Sequence, residues 1–220
     1  ELIRRFAGEN DEDAFREIVS RHIPLVYSSE LRQAGNPSLA EDICQSVFII
    51  LARKAADLDE RTILSGWLYR TTRFTTPRAL KAERRREARE RDAMTTHLNE
   101  GDENEPWTQL APRLDEAMVT LNEKDRNALI LRFFENRKLN EVGARLGLSE
   151  DAAQKRVSRA LEKIRRFFTR RAIPISAGAL TTALSTKAVA SVPAQATAAA
   201  ASAALIQGAA EPLATLVKEP

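Results

Sequence analysis

The stretch from Leu139 to Arg166 constrains the fold of this 220-residue chain more than any other. Leu139, Val142 and Leu146 recur at helical spacing and give one helix a single apolar face. Gly147 can take the left-handed conformation that ends a helix. Ser149 can cap the next one, with Glu150 and Asp151 in its first turn, where negative charge is favoured. In that second helix Ala153, Val157, Ala160, Leu161 and Ile164 form an inward stripe. Lys155, Arg156, Arg159, Lys163 and Arg166 lie largely away from it. A short turn between two such helices, the second of them basic, predicts a helix-turn-helix whose second helix enters the DNA major groove. An ordinary helical hairpin with a solvated basic face fits the same pattern.

Charge is unevenly placed along the chain. Net charge is only +3, yet Arg73 to Arg91 and Ser149 to Arg171 each hold eight basic residues against three acidic ones. Asp92 to Arg126 holds nine acidic and three basic. Two basic patches split by an acidic segment suggest two contacts with a polyanion, or else two solvated helices. With 30% charged and 5% aromatic residues, the composition suits a helix-rich soluble protein better than a β-sandwich. Cys44 is the only cysteine, so no disulfide forms within the chain, and His22 and His97 sit in no Cys/His cluster. No metal, catalytic residue, cofactor or small-molecule substrate is expected: no nucleophile–base pair or phosphate-binding glycine loop is evident. The sequence shows no signal peptide and no initiating Met, so it is read as a trimmed chain or a fragment.

The fold expected is all-α, with two small helical domains joined by an acidic linker, the second a helix-turn-helix domain. Phe15, Ile18, Val19 and Val26 mark one helix, which Pro24 should kink or end. Gly35-Asn36-Pro37 signals a turn, and Ser38 with Glu41 reads as a capping box opening the next helix. Leu39, Ile43, Val47, Ile50 and Leu51 stripe that helix, and Asp42 and Gln45 fall on its polar face. A third helix begins near Gly66-Trp67-Leu68, and Pro77 should break it. The boundaries expected are a first domain over 1–91, a linker with little fixed structure over 92–112, and a second domain over 113–171. In the second domain Leu121, Leu129, Ile130, Phe133 and Phe134 supply the core.

After Arg171 the composition turns to Ala, Ser and Thr, and residues 172–220 are expected to be largely a disordered tail with transient helix. Ala188 to Ala210 is uncharged and long enough on paper to span a membrane. Pro193, Gln195 and Gln207, and the weak hydrophobicity of Ala, argue against insertion.

Two parts of the chain resemble one family, the extracytoplasmic-function (ECF) group of bacterial RNA polymerase sigma factors. Ala40-Glu-Asp-Ile-Cys-Gln-Ser-Val-Phe48 with Gly66-Trp-Leu-Tyr-Arg70 resembles the family's region two. Leu121-Asn-Glu-Lys-Asp-Arg126, Leu131-Arg-Phe-Phe134 and the helix-turn-helix resemble region four. The resemblance implies a cytoplasmic, non-enzymatic subunit that binds core RNA polymerase (the β′ clamp helices and the β subunit), recognises promoter DNA and opens it. It implies polymerase contacts at Asp42 and Gln45 and minus-ten DNA contacts at Arg70, Arg73, Arg78 and Lys81. Minus-thirty-five contacts are implied at Ala152, Lys155, Arg156 and Arg159. An anti-sigma protein is a further implied partner. Where many members carry Asn and Asp, this chain has Phe74 and Arg78, with Pro77 between. Two other readings stay open from the residues alone: a helix-turn-helix regulator acting without polymerase, and an interaction protein controlled by its Ala-rich tail.

Overall fold

The structure is a computed structural model that describes residues 1–76 and 106–208. Among the described residues every regular element is helical. Helix α1 (Leu2–Glu9) leads into α2 (Glu12–Ala34), which Asp11 caps by accepting from the Ala14 backbone N–H at 2.9 Å. Pro24 lies inside α2 and does not end it. Ile18, Val19, Ile23, Leu25 and Val26 are all buried around it. Burial on both sides of the proline offsets the hydrogen bond it removes.

Gly35 closes α2 with φ 65°, and α3 (Pro37–Lys54) follows at once. Its cap is Asn36 with Pro37 in the first turn, not the expected Ser38 box. A proline has no N–H to satisfy at that position, so the helix starts one residue before Ser38. A short 3-10 turn (Ala55–Asp57) and an irregular stretch lead to α4, residues 64–76. Pro77, Arg78 and Lys81 lie outside the described residues.

Helix α5 (Pro106–Val119) begins inside the segment expected to be linker. Leu110, Leu114, Ala117, Met118 and Leu121 are buried at intervals of three and four residues. That apolar stripe orders the end of an otherwise acidic segment; the rest of the expected linker, 92–105, lies outside the described residues. Then come α6 (Glu123–Leu129), a wider π-type turn (Ile130–Phe134), α7 (Leu139–Leu146) and α8 (Glu150–Thr169). Within the expected tail stand two more helices, α9 (Ala177–Lys187) and α10 (Ala194–Gly208). Ser176 caps α9 by accepting from the Ala179 N–H. Residues 177–187 and 194–208 are helical because both segments find apolar partners elsewhere in the chain. Residues 209–220 are not described. No described helix is long and apolar enough to cross a membrane.

Two apolar cores result. One gathers Phe15, Val26, Ile43, Val47, Phe48, Leu51 and Leu68 from α2, α3 and α4, and it also takes in Ala200, Ala201 and Ala204 of α10. The other gathers α5 to α9 around Leu114, Ile130, Phe134, Val142, Ile164, Phe168 and Leu184, joined by Leu25 and Tyr69 from the first half. The chain therefore builds its second core and then returns to the first.

Asp115 of α5 links the halves. Its buried carboxylate accepts from Ser29 Oγ at 2.8 Å, Tyr69 Oη at 2.7 Å and Arg32 Nε at 2.9 Å. Burial, with the negative Asp115 beside it, pushes the Tyr69 phenol well above its ordinary pKa. Arg73 Nη1 adds a bond to the Asp115 carbonyl at 2.9 Å.

Candidate nucleic-acid interface

The helix-turn-helix forms as its residues dictate. Gly147 has φ 65° between α7 and α8, and its N–H bonds back into α7. Ser149 Oγ accepts from the Ala152 N–H at 3.3 Å to cap α8. Ala153, Val157, Ala160 and Ile164 are buried, and Leu161 packs partly against the same core. Asp151, Gln154, Lys155, Ser158 and Arg159 line a shallow open concavity on the opposite side. Lys155 and Arg159 are exposed there, and Ala152 is half-buried in the first turn.

Arg156 goes elsewhere. Its Nη1 pairs with Asp125 Oδ1 of α6 at 3.1 Å, and Lys163 Nζ reaches the other carboxylate oxygen at 2.6 Å. The Asp125 side chain is 9% exposed. Burial opposes its ionisation, but the hydrogen bond and charge of Lys163, together with those of Arg156, outweigh burial and hold its pKa below the ordinary range. Arg156 thus ties the recognition helix to α6. The sequence signal for this is the seven-residue spacing of Arg156 and Lys163, two turns along one face.

In the first half Arg70 is exposed on α4, and Phe74, one turn further on, is 71% exposed. Arg73 is half-buried against α5, and Trp67 packs against the first core. A Cβ at Gly66 would lie 2.1 Å from Asn127 Oδ1, so the glycine of the Gly-Trp-Leu-Tyr stretch permits close approach of α4 to α6. On α3, Asp42 is exposed and Gln45 half-buried. Cys44 is buried between them, and burial raises its thiol pKa.

A solvent-facing basic second helix, a second helical body carrying exposed Arg70, and a polar face on α3 define the class: a two-part protein, helical throughout its described residues, with a helix-turn-helix in its second part. The sigma-70 region 2 family model matches residues 18–86, and the sigma-70 region 4 model matches residues 117–166. The chain is 30% identical over 156 residues to the RNA polymerase sigma factor CarQ of Myxococcus xanthus, covering 70% of this chain and 88% of that protein. It is 27% identical over 161 residues to the ECF sigma factor SigE of Mycolicibacterium smegmatis, covering 70% and 61% respectively. It is 25% identical over 169 residues to the ECF sigma factor SigW of Bacillus subtilis, covering 72% and 90%. The chain belongs to the ECF sigma factors, and it directs promoter-specific transcription initiation with core RNA polymerase and promoter DNA as its partners.

Proposed function

We propose that the two halves divide the work as 1–91 and 113–171, with 92–112 as the tether between them, and that the chain acts in the cytoplasm without enzymatic activity of its own. The observation that carries this reading is the open face of α8 at Asp151, Gln154, Lys155, Ser158 and Arg159. Ala152, Lys155 and Arg159 meet the minus-thirty-five element in the major groove, where a Lys or Arg on guanine is the commonest specific contact. Arg156, held by Asp125, sets the tilt of the helix and reaches DNA only with its remaining donors. Arg70 and Arg73, with Arg78 and Lys81, contact phosphates at the minus-ten element. Phe74 offers an exposed ring on which an unstacked base can rest. Asp42 and Gln45 on α3 engage the β′ clamp helices of core polymerase, whose β subunit is a further contact, and an anti-sigma protein competes for the same surfaces.

Lys155→Ala should cost about 1–3 kcal/mol on one base pair of the minus-thirty-five element if Lys155 reads a base. Asp42→Ala should weaken core polymerase binding and leave duplex affinity unchanged. Equal polymerase affinity in wild type and Asp42→Ala would remove α3 from the polymerase contact.

A further inference from the structure

Helix α10 packs extensively along α3. Side chains from the first half fix both of its ends. Before it, Arg32 Nη1 donates to the Ala188 carbonyl at 2.8 Å and Ser28 Oγ accepts from the Ala190 N–H at 2.7 Å. At its far end, Arg53 Nε and Nη2 both donate to the Gln207 carbonyl, at 3.2 and 2.9 Å. A cation on the last carbonyls of a helix is the favourable arrangement. Between these anchors Ala196, Ala200, Ala201 and Ala204 are buried. Gly208 lies so close to α3 that a Cβ there would be 2.6 Å from the Ala52 Cβ.

These anchors give the direction of α10. Residues 188–190 sit at the C-terminal end of α2, next to the turn that starts α3, and Gly208 sits near the C-terminal end of α3. Helix α10, about 22 Å long, therefore runs in the same direction as α3. Gln45 and Ala52 are seven residues apart and lie within about 20° of each other around the α3 axis. Glu41, Gln45, Ile49 and Ala52, all near this side, are half-buried, whereas Asp42 and Ser46 are exposed. Gln45, half of the pair to which polymerase binding is assigned, thus lies on the side of α3 that Gly208 of α10 approaches at Ala52.

We infer that the outer face of α3 is an exchange surface: α10 occupies it in the free chain, and core polymerase displaces α10 to bind there. This rests on the assignment of Asp42 and Gln45 to polymerase. The chemistry of α10 suits displacement. Its fully buried side chains are alanine methyls, each removing little apolar area from water, with Leu205 partly buried beside them. It carries no charged side chain, and the segment's polar anchors to Arg32, Ser28 and Arg53 are made through its backbone. A segment closed for most of the time lowers apparent affinity by the fraction of molecules left open.

The full chain carrying Ala52→Cys and Gly208→Cys tests this, with wild type and Asp42→Ala alongside, by titration with core polymerase. Cys44 is buried and does not compete for the new pair. After mild oxidation the lock should weaken polymerase binding about tenfold or more, and reductant should restore it. In the opposite direction, Ala200→Glu with Ala204→Glu should loosen α10 and tighten polymerase binding several-fold, a gain that mere destabilisation does not produce. Equal binding of the oxidised and reduced forms, or failure of the cysteines to join under oxidant, would overturn the inference. If Asp42→Ala also binds as wild type does, the fault lies in the assignment of α3; if Asp42→Ala binds weakly and the lock does nothing, it lies in the role of α10.

Discussion

Asp115→Asn should be the most damaging single-charge change in the described part of the chain. The carboxylate is 3% exposed and its partner Arg32 is 7% exposed, so neither has water to fall back on. Asn retains one acceptor for Ser29 or Tyr69 but leaves the Arg32 guanidinium buried beside a neutral group. Breaking a buried ion pair from one side costs about 3–5 kcal/mol. The bond count gives the same scale, because charge-assisted hydrogen bonds contribute about 1.5–3 kcal/mol each. Here Arg32 reaches the carboxylate with Nε at 2.9 Å and Nη2 at 3.3 Å. Because Asp115 joins two separate cores, the loss should appear in urea unfolding as a lower midpoint and a split into two transitions. Arg32→Met with Asp115→Leu should recover part of the loss by removing both charges, though not the Arg32 bond to the Ala188 carbonyl. A change under about 1 kcal/mol, with one unchanged transition, would refute this reasoning, since a buried, paired carboxylate cannot be neutralised so cheaply.

Other expectations follow from the same geometry. Arg156→Ala should lower thermal stability by about 1–3 kcal/mol by leaving Asp125 under-paired, while Lys155→Ala and Arg159→Ala leave stability nearly unchanged and flatten the salt dependence of DNA binding. Glu30 is buried with a hydrogen bond from Thr76, near Asp115, Arg32 and Arg73; burial dominates and pushes its pKa up to about 8. The folded state thus holds a proton that the unfolded state gives up near the ordinary value of 4.5. Stability from this group is full below that value and is lost as pH rises through about 8, so Glu30→Gln should flatten the fall in urea midpoint between pH 5 and 9. Phe74→Ala should leave the urea midpoint unchanged and slow promoter opening, read by permanganate reactivity of unpaired thymines. Equal opening rates would remove Phe74 from the minus-ten contact.

The helix-turn-helix was legible because every signal for it is local. Leu139, Val142 and Leu146 set the period, Gly147 breaks it and Ser149 restarts it within three residues. The second core was legible from Leu129 to Phe134 for the same reason. The Asp115 hub was not, since its partners Ser29 and Arg32 lie more than eighty residues away in sequence and nothing near Asp115 in the acidic stretch marks it as buried. Arg156 was placed with its basic neighbours on the DNA side because its spacing from Lys163 shows only that the two share a face of α8, not that Asp125 of α6 lies against that face. Helix α10 was hidden for another reason. When nearly every residue is Ala there is no apolar stripe, and the buried face is chosen by α3 rather than written in the segment. Only Pro193 before it and Gly208 at its end mark its bounds.

The central claim is tested most directly by run-off transcription from a promoter library with purified bacterial core polymerase, with and without the full chain and its Ala200→Glu, Ala204→Glu form. The account requires sequence-selective transcripts that depend on the protein, sharing one minus-ten and one minus-thirty-five element, with higher yield from the loosened form. Transcription no different from core polymerase alone with either protein, despite confirmed polymerase binding, would contradict it.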